Sequence, residues 1–155
     1  MTPFLIWLES SAFSVWVRES PSVFAFPIIL SVHTIGMGLV AGINAIVALR
    51  ILGFAPKVPL AEMNRFYPIM WFGFWINAAS GVALLIAYPT KALTNPMFYL
   101  KLAFIAAAVA LIGLIQKTAS AERSRRLAGA SLACWALAIT SGRLLAYTYH
   151  KLMSS

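Results

Sequence analysis

The chain has no aspartate, one cysteine and two histidines among its 155 residues. Its acidic side chains are four glutamates, set against 12 lysines and arginines, so the formal charge is +8. A lone cysteine, Cys134, forms no intramolecular disulfide and no thiolate metal cluster. With no aspartate, no acid pair and no phosphate-cradling loop, the sequence lacks the residues for paired-carboxylate hydrolysis, acyl transfer and phosphoryl transfer. The sequence therefore favours a non-catalytic protein over an enzyme.

Charged residues are scarce and hydrophobic residues abundant. Only 10% of the chain is charged and 61% is hydrophobic, whereas a soluble domain carries about 25% charged residues. In a soluble protein the positive excess would suggest nucleic acid. Here the basic residues flank long apolar runs, where they meet anionic lipid headgroups. We expect a lipid bilayer as the partner, and no nucleic acid.

Four apolar runs are each long enough to cross a bilayer, which takes about 20 residues. The predicted spans are 23–49, 66–88, 97–116 and 127–149, with prolines at 56, 59 and 89 ending or separating them. Residues 1–20 predict an interfacial amphipathic helix, with Trp7 and Trp16 at headgroup depth. The predicted fold class is therefore all-α: an integral membrane four-helix bundle forming a single domain, 1–155.

The basic residues predict an orientation. Seven lie on the side of the loops near 50–65 and 117–126, against three or four on the opposite side. Because positive residues concentrate on the cytoplasmic side, we expect a multi-pass protein of the bacterial inner membrane with both termini in the periplasm.

Polar groups from all four spans fall at similar depths. With a helical rise of about 1.5 Å per residue, His33 lies about 4–5 Å outward of its span's middle, Lys101 about 8 Å and Arg143 about 7–8 Å. Asn77 is near the middle of its span. These residues, together with Tyr147 four residues after Arg143, are the candidate lining of a polar pocket in the outer half of the bundle.

No carboxylate is predicted inside a span to neutralise Arg143 or Lys101. A charged side chain facing lipid costs at least a few kcal/mol, which favours an interior position. Two open interpretations follow. The cations contact a ligand with negative oxygens, or they snorkel outward to headgroup phosphates.

His33 also has more than one interpretation, because an imidazole inside a membrane must bond to something. It forms a structural bond to a neighbouring helix, binds a haem or metal, or bonds to a quinone. His150 falls about 13–14 Å outward of His33, which disfavours a bis-histidine haem. Copper bound by His33 with Met37 and Met70 has weak support, since Met70 is predicted well inward.

Three motifs carry a resemblance that covers nearly the whole chain: HTIGMGLVAG at 33–42, NPMFYLKL at 95–102 and GRLLAY at 142–147. With them the chain resembles an uncharacterised family of small bacterial four-helix membrane proteins, a domain of unknown function. It is also distantly similar to copper-resistance D-type proteins and small b-type cytochrome bundles. That similarity implies a redox or metal-associated membrane role, with His33 as the candidate ligand.

The leading hypothesis is a non-catalytic subunit that binds haem b or quinone for electron transfer, as a homo-oligomer or within a membrane complex. The alternatives are a small-solute or copper transport component, and a purely structural subunit.

Overall fold

The computed structural model describes residues 2–152, with side chains from residue 3 to residue 145 and at residue 147. The described chain is helical and contains no strand, so the all-α prediction is confirmed. Two short helices come first, α1 (Thr2–Glu9) and α2 (Ala12–Glu19). They replace the single helix predicted over 1–20, because the Ser11 side chain accepts the Ser14 N–H and starts a new helix there.

Six further helices follow. They are α3 (Phe26–Leu52), α4 (Leu60–Met63), α5 (Tyr67–Ala87), α6 (Pro89–Leu93), α7 (Pro96–Lys117) and α8 (Ala121–Leu152), with a 3₁₀ turn (Asn64–Phe66) joining α4 to α5. Four segments are long and apolar enough to cross a membrane: Phe26–Leu52, Leu60–Ala87, Pro96–Lys117 and Ala121–Leu145. The predicted four-span pattern is therefore present in the structure.

Local sequence explains where the long helices start and stop. Proline occupies the first turn of α3, α5 and α7, where its missing N–H costs no helical bond. The Asn95 side chain caps α7 by accepting the Met97 N–H at 2.9 Å. Gly53 ends α3 in the left-handed conformation, with φ of 109°, which only glycine adopts without strain.

The long helices pack in the order α5, α3, α8, α7. Large side chains from all four fill one core, including Val40, Met70, Ile112 and Trp135. We call the end of the bundle that carries α1, α2 and α6 the terminal end. The opposite end, with residues 53–66 and 117–126, is called the basic end.

Many large apolar side chains on the long helices face outward. Ile35 is 63% exposed, Phe72 63% and Trp75 67%. Phe4 and Trp7 of α1 are similarly exposed, at 63% and 65%. A monomeric soluble protein rarely leaves such a continuous apolar surface open to water.

The two N-terminal helices are fixed to the end of α5. The hydroxyl of Ser14, which is fully buried, donates to the Ala87 carbonyl, and Arg18 Nη1 donates to the same carbonyl at 3.0 Å. Arg18 also lies 3.7 Å from the Glu9 carboxylate, which accepts from Thr90 at 2.6 Å. A guanidinium at a helix C-terminus satisfies a carbonyl that has no helical donor.

Candidate functional site

His33 of α3 and Asn77 of α5 bind each other through both side chains. His33 Nδ1 lies 3.0 Å from the Asn77 backbone oxygen, and Asn77 Nδ2 donates to the His33 backbone oxygen at 2.7 Å. Ser80 Oγ is 3.1 Å from the same Nδ1. The structure therefore brings together two of the predicted site residues, and adds Ser80.

The Asn77 carbonyl oxygen, at 3.0 Å, is closer to Nδ1 than the Asn77 Nδ2 donor at 3.4 Å, which favours the tautomer with the proton on Nδ1. A carbonyl oxygen only accepts, so in this tautomer Nδ1 donates to Asn77. The Ser80 hydroxyl donates to the Ile76 carbonyl at 2.7 Å, which leaves its oxygen lone pairs for Nδ1. In a neutral imidazole the lone pair is then on Nε2. Within the described part of the chain, Nε2 has no hydrogen-bond partner.

A glycine makes room for the ring. A Cβ atom at Gly81 would lie 3.2 Å from His33 Cε1, so any larger residue there would press on the imidazole. The ring therefore lies against the backbone of α5, one helical turn beyond Asn77.

Lys101 approaches the site from α7. Its side chain is partly buried and crosses α8 at Gly142, where a Cβ atom would lie 3.5 Å from Lys101 Cδ and 3.7 Å from Nζ. Lys101 is the sixth residue of α7 and His33 the eighth residue of α3, so both lie in the half of the bundle near the terminal end. Among the described residues no carboxylate or hydrogen-bond acceptor contacts the Lys101 ammonium. His33 and Lys101 thus place an acceptor atom and a cation in the same half of the bundle.

The remaining predicted lining residues are on the exposed face of α8. Arg143 follows Gly142 directly but is exposed, and Tyr147 is 70% exposed. The buried face of α8 carries small residues and one aromatic instead: Ala128, Ser131, Trp135, Ala138 and Ser141. The side chain of His150 lies outside the described part. The contribution of Arg143 and Tyr147 to a site therefore stays a prediction.

Three residues of the site, Ser80, Gly81 and Gly142, are not predicted from the sequence. The depth pattern does not identify Ser80 as the partner of His33, and it does not indicate the space beside Gly81 and Gly142. In each case a glycine on one helix lies opposite a large polar side chain on another: Gly81 opposite His33, and Gly142 opposite Lys101. The sequence shows such a pair only when it is known which helices are neighbours.

Met70 packs in the apolar core, and the described residues hold no group of three or more His, Cys, Asp or Glu that could bind a metal ion. Copper binding by His33 with Met37 and Met70 stays a prediction.

No protein-family model, curated protein or solved structure matches the chain. The likeness to small bacterial four-helix membrane proteins therefore also stays a prediction.

Proposed function

We propose that this is a multi-pass protein of the bacterial inner membrane, with both termini periplasmic, that binds a quinone at His33 and Lys101 as a non-catalytic electron-transfer subunit. Four apolar helices with outward-facing Ile35, Phe72 and Trp75 support the membrane location. The excess of arginine and lysine at the basic end supports the orientation.

The observation that carries the ligand proposal is the free Nε2 lone pair of His33, oriented by the bonds of Nδ1 to Asn77 and Ser80. A quinol hydroxyl donates to such an acceptor. The Lys101 ammonium donates to a quinone carbonyl and stabilises a reduced, anionic oxygen. The acceptor atom of His33 suits the hydroxyl of a reduced quinol, and the cationic donor of Lys101 suits the carbonyl of an oxidised quinone.

A haem b with His33 as its protein ligand is the second candidate. Metal-binding histidines commonly donate their other ring N–H to a carbonyl, which fixes the ring and leaves Nε2 for the metal. His33 has this arrangement through Asn77, and Lys101 would pair with a haem propionate. His150 falls about 13–14 Å outward of His33 by helical rise, so His33 would be the one histidine to hold this haem.

The first experiment is purification of the full chain in mild detergent, followed by solvent extraction of quinone and a visible spectrum. We expect close to one extractable quinone per chain and no Soret band. A Soret band of the strength expected for one haem per chain would show that the ligand is haem and not quinone. Protein that is colourless, quinone-free and unresponsive to added decylubiquinone would overturn both ligands and leave the structural-subunit alternative.

Two substitutions of His33 separate a ligand role from a structural one. By length, the amide of H33N reaches the Nδ1 position and keeps a donor for the Asn77 carbonyl, whereas the amide of H33Q reaches the Nε2 position. We expect H33N to fold and lose the quinone, and H33Q to keep part of the binding. Unchanged binding in H33N would show that the Nε2 atom has no part in holding the ligand.

A further inference from the structure

A cavity separate from the His33 site opens at the basic end between α3, α4, α5, α7 and α8. Its volume is about 760 Å³, which is within the range of small-molecule sites. Its walls are apolar on the side of the bundle core, where Val47, Ile51, Met63 and Ile115 lie. Arg50, Arg125 and Ser124 supply polar groups. The cleft is therefore lined by both apolar and cationic side chains, with Tyr67 and Gln116 among its other polar residues.

Neither of the two lining arginines has an anionic partner among the residues that the structure describes. Arg50 uses Nε and Nη2 to donate to the backbone carbonyls of Val58 and Pro56, which are neutral acceptors. Arg125 makes no hydrogen bond or ion pair with any described residue. Two guanidinium charges at the cleft therefore stay uncompensated.

The nearby glutamates are already engaged. Glu62 pairs with Arg65 at 3.4 Å, and Glu122 pairs with Arg126. None of the cleft-lining residues is acidic. The charge at Arg50 and Arg125 is therefore available to an external anion.

We propose that this cleft binds the phosphate diester of an anionic phospholipid, with its acyl chains against the apolar wall. Guanidinium groups bind phosphate oxygens through paired hydrogen bonds, and basic pockets between helices at the cytoplasmic face suit anionic headgroups. A soluble phosphate ester has the same phosphate chemistry as the headgroup, but it has no acyl chain to pack against Val47, Ile51 and Ile115. The apolar wall of the cleft therefore favours the lipid over the soluble compound.

Native mass spectrometry of the detergent-purified chain tests the proposal, with phosphatidylglycerol and phosphatidylcholine offered at equal concentration. The decisive pair is R125Q and R123Q. Both change the same exposed helical turn by the same charge, but only Arg125 lines the cleft. We expect R125Q to lower bound phosphatidylglycerol about fivefold, from the contribution of one basic residue, and R123Q to leave it unchanged.

The other arms distinguish the sources of phosphate. Glycerol 3-phosphate in millimolar excess should displace little phosphatidylglycerol. If it displaced the lipid even at equal concentration, the cleft would be a site for a soluble phosphate ester, and the lipid proposal would be wrong. If R125Q and R123Q lowered bound phosphatidylglycerol equally, the general positive charge of this end would explain the binding, and the cleft would not be the site. If phosphatidylcholine bound as well as phosphatidylglycerol, the cleft would not select an anionic lipid. Circular dichroism of each variant confirms that the compared proteins are folded.

Discussion

The backbones of Gly36 and Gly73 pass so closely that a Cβ atom on Gly36 would lie 2.9 Å from the Gly73 carbonyl oxygen. The same atom would lie 2.8 Å from the backbone nitrogen of Asn77. This contact is one helical turn from His33 and holds α3 and α5 at the separation that the His33–Asn77 bonds require. The site and the packing of the helices therefore depend on each other.

Gly36→Ala should push α3 away from α5, because its Cβ meets backbone and not the end of a flexible side chain. We expect a loss of about 1–3 kcal/mol, the usual cost of overpacking, together with weaker ligand binding at His33. Unfolding in detergent and quinone titration measure the two effects.

Gly38→Ala is the matched control, since a Cβ atom at Gly38 meets nothing within 4 Å. It should leave both stability and binding unchanged, or raise stability slightly through better helix propensity. Equal damage from both substitutions would mean that helix propensity or lipid contact, and not the α3–α5 contact, sets the effect.

Helical rise and period alone place His33, Asn77 and Ser80 at compatible depths, because all three lie on regular helices. They do not indicate which glycines face a neighbour. The GxxxG pattern at Gly38 and Gly42 matches a packing motif, yet both positions are open and the contact uses Gly36 and Gly73. Which face of a helix meets a partner depends on side-chain fit across the whole bundle.

Helix α8 shows the same limit for polar residues. The stripe through Thr140, Arg143 and Tyr147 is the most polar face of this helix, but all three side chains are exposed. The buried face uses Ser131 and Ser141, whose hydroxyls are satisfied locally or by a neighbouring helix. A small hydroxyl is easily buried. Arg143 lies close to the end of the apolar segment Ala121–Leu145, from where a guanidinium can reach headgroup phosphates while its stem stays on the apolar surface.

Lys101→Met should stabilise the bundle and weaken the site at the same time. Removing a partly buried ammonium that has no described acceptor relieves a desolvation cost on the order of 1 kcal/mol. If Lys101 donates to the ligand, the loss of a charge-assisted hydrogen bond should raise the Kd for quinone about tenfold. Thermal unfolding and ligand titration give the two readouts.

Lys117→Met removes the same charge from the other end of α7, where the side chain is exposed. It should change neither quantity by more than a few tenths of a kcal/mol. A tenfold weaker Kd in this variant as well would assign the effect of Lys101→Met to net charge and not to contact with the ligand.

Arg18→Ala should loosen the N-terminal helices from α5. It removes the Arg18 bonds to the Ala87 carbonyl and the Ser14 hydroxyl and leaves Glu9 without its ion pair. We expect a loss of about 1–2 kcal/mol, as for a hydrogen bond to a charged group, and faster amide hydrogen exchange confined to residues 2–19. The exposed neighbour Glu19→Ala is the control, and similar exchange in both variants would contradict the role of Arg18 as a cap.

Ser131→Ala tests the polar contact inside the core. Ser131 donates to Asn44 Oδ1 at 3.1 Å, while Asn44 Nδ2 is buried and has no partner in the described part of the chain. Without Ser131 the whole Asn44 amide lacks partners, which should cost about 1–3 kcal/mol. Adding Asn44→Ala to this variant should recover part of the loss, because an apolar pair needs no hydrogen bonds. Additive losses in the double variant would show instead that Asn44 is stabilised by another contact, such as an internal water.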